Sequence, residues 1–230
     1  MTLKQQIAGA LADMRGSSPL IHCITNYVTA GDTANMLLAA GASPIMADDP
    51  SESAEITALA QGLTLNLGTP SGSRVEAMLR SGAEANRRGI PVVFDPVGAG
   101  CSGFRRNSAG EILRRVRLTA IRGNLSEISY LAGFESRENG VDSSETRIIA
   151  AEAAQTAAKK LGCVCAVTGE RDVISDGSRT VTILSGTPLL KKVTGAGCMT
   201  SALCAAMCTA ADGFVGAAAG IALMDICGEL

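Results

Sequence analysis

The chain has 230 residues, of which 47% are apolar, enough to bury one sizeable hydrophobic core. Its 20 basic and 22 acidic residues nearly balance, and neither sign gathers in a block that would suit nucleic acid. The first residues form no signal-like apolar segment, and the longest apolar run, Phe214 to Met224, is far shorter than the roughly 20 residues that span a membrane. We therefore expect one soluble, cytoplasmic domain over residues 1–230, without a nucleic-acid or membrane partner.

Short apolar segments alternate with helical stretches along the chain. Leu3, Ile7, Leu11 and Met14 recur at helical spacing and predict a first helix. Strand-length apolar segments follow at residues 20–24, 43–46, 63–67, 91–95, 120–122 and 164–168. This alternation predicts an α/β fold with a mostly parallel central sheet and helices on both faces.

The last third of the chain changes character. Residues 173–175 and 180–184 are apolar and flank Asp176-Gly177, a pair that suits a tight turn, so we expect an antiparallel hairpin at one sheet edge. From Gly195 to Leu230 small residues dominate, which predicts closely packed helices.

The strongest local signal for chemistry is the glycine turn Gly195-Ala196-Gly197, which leads into a helix at Cys198. Free backbone N–H groups and the helix dipole can hold an anion there, although such glycines also occur in turns that only need sharp backbone geometry. The dipole should lower the pKa of the Cys198 thiol, which could then orient or accept a hydroxyl proton. A small buried cysteine is the alternative.

A second candidate site follows the strand that ends at Asp95. Open α/β sheets bind ligands at this end of their strands, and a carboxylate there can hold Mg²⁺ through water. Gly98, Gly100 and Gly103 also match a dinucleotide-binding pattern. That interpretation is weak, because Phe104 and the two arginines after it open no obvious helix and no acidic residue lies about 20 residues beyond.

Asn124 and Glu127 lie one helical turn apart. An amide and a carboxylate at this spacing suit a water-mediated contact with Mg²⁺ or phosphate, and they equally suit a helix cap. The sequence has no G-x-x-x-x-G-K-[ST] phosphate loop and no protein-kinase motif set, so ATP would need another cradle.

The eight cysteines are even in number but form no C-x-x-C pair, and the chain has a single histidine, His22. We expect most of these cysteines to be reduced core residues, and we expect no zinc site.

From about Pro19 to Met207 the chain resembles the ribokinase-like superfamily, and within it the hydroxyethylthiazole kinases of thiamine salvage. The motifs that carry the resemblance occur in family order and are residues 21–28, 41–46, 95–100, 121–124, 167–170 and 195–198. Cys198 is typical of the thiazole kinases, because their ribokinase-like relatives usually carry aspartate there.

This resemblance implies transfer of the ATP γ-phosphate to the hydroxyl of 5-(2-hydroxyethyl)-4-methylthiazole. The resemblance also implies that the glycine turn at Gly195 and Gly197 forms the anion hole and that Cys198 faces the substrate hydroxyl. Four residues would form the substrate pocket: Met46, Gly195, Asn26 and Asn66. Three would bind ATP: Arg122, Thr168 and Asn124. Two would support Mg²⁺: Asp95 and Glu127.

The family resemblance further implies a homotrimer with substrate pockets at subunit interfaces. Compared with family members, the chain is expected to lack the last C-terminal helices. Two alternatives remain open: a ribokinase-like kinase for hydroxymethylpyrimidine or a sugar, and a non-catalytic module that binds a thiazole or nucleotide. A nicotinamide-dependent oxidoreductase is a third, more distant possibility.

Overall fold

The computed structural model describes residues 1–134 and 143–230. The strands in this part of the chain are β1 (Leu20–Ile24), β2 (Ser43–Ile45), β3 (Gly62–Asn66), β4 (Val92–Asp95), β5 (Ala120–Asn124), β6 (Val164–Thr168), β7 (Asp172–Ser175) and β8 (Thr180–Ile183). The helices are α1 (Leu3–Ser17), α2 (Ala30–Ala40), α3 (Ser53–Leu59), α4 (Gly72–Arg88), α5 (Gly103–Arg115), α6 (Leu125–Ala132), α7 (Ser143–Leu161), α8 (Ala196–Met207) and α9 (Gly213–Glu229), with a 3₁₀ turn at Pro188–Lys192.

The strands form one sheet in the order β2-β1-β3-β4-β5-β6-β7-β8. Neighbours from β2 to β6 run parallel, whereas β7 and β8 add an antiparallel edge. Gly177, in the turn between β7 and β8, has a positive φ of 91°, which glycine adopts without a steric penalty. The predicted parallel sheet and edge hairpin are both confirmed.

Helices cover both faces of the sheet, as the alternation of segments predicts. Side chains along β4 point alternately to the two faces: Val93 packs into a core shared with α1, α2, α8 and α9, and Val92 and Phe94 pack into a core shared with α4 to α7. Burial on both faces explains why the parallel strands are apolar throughout. Among the described helices, none combines the length and apolarity needed to cross a membrane.

One local prediction is wrong: the residues after Gly103 do open a helix. Ser102 caps α5, its side chain accepting a hydrogen bond from the Arg105 N–H at 3.2 Å. The apolar face starts only at Ala109 and Ile112, so the first turn shows no helical pattern. Arg105 instead reaches back to the preceding loops, donating to the backbone oxygens of Val97 at 2.6 Å and Gly68 at 2.8 Å.

The small residues near the C-terminus let α8 and α9 pack backbone to backbone. A Cβ atom built on Gly220 would lie 2.5 Å from the Cys204 nitrogen, and one on Gly216 would lie 2.6 Å from the Cys208 sulfur. No real Cβ contact is that short, so the helix separation requires glycine at both positions. This packing sets where α8 begins relative to the sheet.

We expect Gly220→Ala to lower the free energy of unfolding by roughly 1–3 kcal/mol, because the added methyl group must push the two helices apart. Urea denaturation measures the change. The matched control is Gly9→Ala in α1, where a Cβ meets nothing within 4 Å. The control should gain about 0.5–1 kcal/mol from helix propensity, and equal stability of the two variants would refute the packing argument.

Candidate active site

Polar residues from four neighbouring parallel strands meet at the carboxyl end of the sheet. Asn66 ends β3 and pairs in register with Asp95, which ends β4. Asn124 ends β5 and pairs with Thr168, which ends β6. Parallel strands aligned in this way bring their last residues together at one edge, where open α/β sheets bind ligands.

Asp95 is the electrostatic centre of this edge, with only 1% of its surface exposed. Its Oδ2 accepts hydrogen bonds from Asn66 Nδ2 at 2.9 Å and Ser201 Oγ at 2.8 Å, and lies 3.7 Å from Arg122 Nη1. Among the residues that the structure describes, its buried Oδ1 has no hydrogen-bond partner. Burial raises the pKa of Asp95 to about 6, and the charge of Arg122 opposes that rise.

Arg122 joins Asp95 to the neighbouring strand and to α8. Its Nη2 donates to Thr168 Oγ1, and its guanidinium lies so close to Gly197 that a Cβ there would collide with it. Glycine at 197 therefore makes room for the arginine. Arg122, Thr168 and Gly197 also line a cavity of about 410 Å³ that opens beside the start of α8.

Cys198 lies in the first turn of α8, directly after Gly197. Its sulfur accepts a hydrogen bond from Asn26 Nδ2 at 3.0 Å. Asn26 Nδ2 also lies 3.3 Å from Asn66 Oδ1, so the thiol, both amides and Asp95 form one network. The structure thus brings together four residues that the sequence analysis selected: Asn26, Asn66, Asp95 and Cys198.

The expected direction of the Cys198 pKa is wrong. Burial and the negative charge of Asp95 raise the pKa of the thiol, and the opposing effects of Asn66, Arg122 and Asn26 are smaller. The thiol is therefore protonated near neutral pH, and it acts as a hydrogen-bonding group there rather than as a thiolate.

Asn124 and Glu127 form the helix cap that their spacing allows. The Asn124 side chain accepts from the Glu127 N–H at 2.9 Å, and Glu127 Oε2 accepts from the Asn124 N–H at 2.8 Å. Glu127 Oε1 accepts from the Gly98 N–H at 2.9 Å. Glu127 therefore also ties the loop after Asp95 to α6, beside the cavity wall at Asn124.

Gly195 and Met46 lie in different settings. Gly195 is the N-cap of α8 with a positive φ of 80°, and it packs against the side chain of Thr29. Met46 directly follows the edge strand β2 and is 37% exposed. The described contacts of the network and the cavity do not include Met46.

Three polar residues that sequence reasoning missed complete the region. Ser201 is one helical turn after Cys198, a spacing that could have flagged it. Asp172 and Asp225 both line the cavity, and each carboxyl group affects the pKa of the other. Asp225 directly follows the apolar run that ends at Met224, and a lone charge inside such a helix is itself a signal of a special role.

A mostly parallel sheet with an antiparallel edge, a glycine turn opening a helix and a buried Asp–Arg pair between them define a small-molecule kinase of the ribokinase-like class. Residues 11–230 match the hydroxyethylthiazole kinase family. The hydroxyethylthiazole kinase of Ruminiclostridium cellulolyticum is 50% identical over 230 residues, covering 98% of this chain and 84% of that protein. The chain belongs to the hydroxyethylthiazole kinase family.

Solved structures agree with this assignment. The hydroxyethylthiazole kinase structure from Pyrococcus horikoshii OT3 superposes with a TM-score of 0.86 at 37% identity, covering 95% of this chain and 82% of that one. A ribokinase-like superfamily protein from Enterococcus faecalis V583 reaches a TM-score of 0.66 at 11% identity, covering 94% and 80%, and shows the shared fold alone. The family resemblance seen in the sequence is confirmed.

Gly197→Ala tests the contact between α8 and Arg122. The added Cβ must displace the guanidinium from Thr168 and Asp95, and losing such charged hydrogen bonds should lower kcat/KM about ten-fold or more. Steady-state kinase assays measure the loss. Gly72→Ala, where a Cβ meets nothing within 4 Å, is the control and should retain wild-type kinetics. A fully active Gly197→Ala variant would contradict the proposed contact.

The pair formed by Asp172 and Asp225 predicts a pH-dependent stability. Burial, then the neighbouring Asp172, raises the pKa of Asp225 to about 8, whereas an unfolded aspartate ionises near pH ~4. The folded chain thus binds more protons between these values, so this group's contribution to stability is lost as the pH rises from about 4 to 8.

Urea unfolding at pH 5 and pH 8 therefore distinguishes wild type from Asp225→Asn. The stability of wild type relative to the variant should fall between the two pH values, because only wild type must ionise this buried group. Asp13→Asn, at an exposed site on α1, is the control for removing a carboxylate. A difference that does not change with pH would show that the pair does not hold this proton.

Proposed function

We propose that this chain transfers the γ-phosphoryl group of ATP to the hydroxyl of 5-(2-hydroxyethyl)-4-methylthiazole at the start of α8. The observation that carries this proposal is that the first turn of α8 meets two groups of polar residues. Cys198 belongs to the thiol and amide network with Asn26 and Asn66, and Gly197 lines the cavity together with Arg122 and Thr168. An acceptor alcohol and a phosphate donor can thus both reach the same helix N-terminus.

In this proposal the amide N–H groups of Gly197 and Cys198 stabilise the transferring phosphoryl group. Both lie in the first turn of α8, where a helix provides no internal acceptor and the dipole favours an anion. Arg122 and Thr168 bind the phosphates of ATP, and their positions beside Gly197 support that role. Phosphoryl transfer depends mainly on such positioning and charge neutralisation.

The acceptor side supports a thiazole alcohol. Asn26, Asn66 and Gly195 form the pocket wall next to Cys198, and Met46 is proposed to reach the substrate from the sheet edge. The hydroxyl oxygen bonds to phosphorus as the bond between phosphorus and ADP breaks, and the hydroxyl proton is released to water. The protonated thiol of Cys198 orients this hydroxyl by hydrogen bonding, which fits its raised pKa.

Mg²⁺ is the proposed metal partner of ATP, and the donor set fits it. Asp95 Oδ1 is a buried carboxylate oxygen without a partner, and it is the free ligand that a hydrated Mg²⁺ needs. Both Glu127 oxygens accept backbone N–H groups, so Glu127 would act through water, and Asn124 borders the same space. When bound, Mg²⁺ neutralises charge on the ATP phosphates.

We also infer a cytoplasmic homotrimer formed by single-domain chains. Tyr27, Val28 and Leu38 are 70%, 66% and 58% exposed beside Asn26 and α2, and Met46 is exposed at the neighbouring edge. Apolar surface of this kind supports an interface near the substrate pocket. All eight cysteines are free, which suits a reducing compartment.

ADP release by the purified 230-residue chain with Mg·ATP tests the reaction directly. Hydroxyethylthiazole is compared with hydroxymethylpyrimidine, ribose and no acceptor. Release that depends on the thiazole alcohol supports the proposal. Release with another acceptor would instead identify a different ribokinase-like kinase, and ligand-induced stabilisation without release would indicate a non-catalytic binding module.

Replacing Cys198 separates a hydrogen-bonding role from a thiolate role. Cys198→Ala should lower kcat about ten-fold and change the KM of ATP little, because it removes a contact to the reacting hydroxyl alone. Cys198→Ser retains a hydroxyl and should keep more of the rate than the alanine variant. Serine can form the hydrogen bond but ionises far less readily than cysteine. If the serine variant therefore loses as much kcat as the alanine variant, the hydrogen-bonding role is wrong.

A further inference from the structure

Thr29 occupies the N-cap position of α2 but does not cap the helix. Its side chain makes no capping hydrogen bond, although threonine at this position normally accepts one from the first turn. Its hydroxyl instead donates to Asn26 Oδ1 at 3.1 Å. An unused threonine cap costs about 1 kcal/mol, so the local rule for helix starts is broken next to the active site.

The backbone N–H and the hydroxyl of Thr29 together hold the orientation of the Asn26 amide. Asn26 Oδ1 accepts both the Thr29 N–H and the Thr29 hydroxyl, each at 3.1 Å. A backbone N–H can only donate, so the acceptor end of the amide must face Thr29. The donor end then faces away, where Nδ2 reaches Cys198 Sγ at 3.0 Å.

The methyl group of Thr29 touches the glycine turn that begins α8. A Cβ on Gly195 would collide with Thr29 Cγ2, and Thr29 itself is 1% exposed. Thr29 thus contacts both partners of the reacting region: the amide that binds the Cys198 sulfur and the turn that starts the anion-binding helix. The family resemblance assigns it no role.

We propose that Thr29 is a positioning residue whose hydroxyl holds Asn26 in the orientation that binds Cys198. It acts through Asn26 and does not touch the substrate. The inference rests on the proposed function, because Asn26 affects turnover only if Cys198 faces the reacting hydroxyl. Thr29 is therefore a determinant of kcat on the acceptor side of the site.

Two substitutions separate the hydroxyl from the bulk of the side chain. Thr29→Val keeps the shape and removes the hydroxyl, whereas Thr29→Ser keeps the hydroxyl and removes the methyl group. Thr33→Val, one turn later on α2, is the matched control, because the buried Thr33 hydroxyl has no hydrogen-bond partner. Kinetics with Mg·ATP and hydroxyethylthiazole, and urea unfolding, are measured for all three variants.

We expect Thr29→Val to lower kcat about three- to ten-fold, the effect of one hydrogen bond, with an unchanged KM for ATP. The kcat of Thr29→Ser should stay within about two-fold of the wild-type value, and the kcat of Thr33→Val should equal the wild-type value. Wild-type kcat in Thr29→Val, or equal losses in the valine and serine variants, would overturn the inference. The second result would show that the side chain serves packing alone.

Failure of the proposed function is distinguished from failure of this inference by the wild-type assay. If wild type releases no ADP with the thiazole alcohol, a neutron crystal structure of Thr29→Val, which locates the amide hydrogens, decides the inference instead. An Asn26 amide that has turned away from Cys198 supports it, and an amide in its original orientation overturns it.

Discussion

The buried ion pair of Asp95 and Arg122 is the interaction on which the site depends. Both charges are largely withdrawn from water, with side chains 1% and 14% exposed, and such charges are tolerated only when each is well partnered. Asn66 and Ser201 supply the further donors to Asp95, while Thr168 holds Arg122. The pair therefore ties strands β3 to β6 to helix α8.

The position of α8 depends on glycines at both of its ends. Gly220 and Gly216 let α9 approach its far half, and Gly195 and Gly197 let Thr29 and Arg122 approach its first turn. Small residues at both ends thus let the helix lie close to the carboxyl ends of the strands. Its N-terminal N–H groups gain their value for anion binding from that placement, because an oriented dipole acts only at close range.

Sequence patterns predicted the features that local physics decides. The hairpin at Asp176-Gly177 follows from the positive φ of 91° at Gly177, which glycine accepts wherever it occurs. The same local reasoning failed where a distant group intervenes. Arg105, in the first turn of α5, donates to the backbone of the neighbouring loops, so that turn shows no helical pattern. At Cys198, burial and the charge of Asp95 raise the pKa of the thiol, opposite to the direction that the helix dipole predicts. Family motifs placed most site residues, but their roles remain predictions.

By itself the sequence determined the α/β class, the parallel order with an antiparallel edge, and membership of the hydroxyethylthiazole kinase family, because periodicity, turn residues and ordered motifs are written along the chain. Only the tertiary structure decided which polar groups meet. Thr29 turns from its own helix to Asn26, and Asp172 and Asp225 meet at the same cavity. Residues far apart in the sequence acquire a separation, an orientation and a degree of burial only when the strands and helices pack, and the chemistry of the site depends on those three quantities.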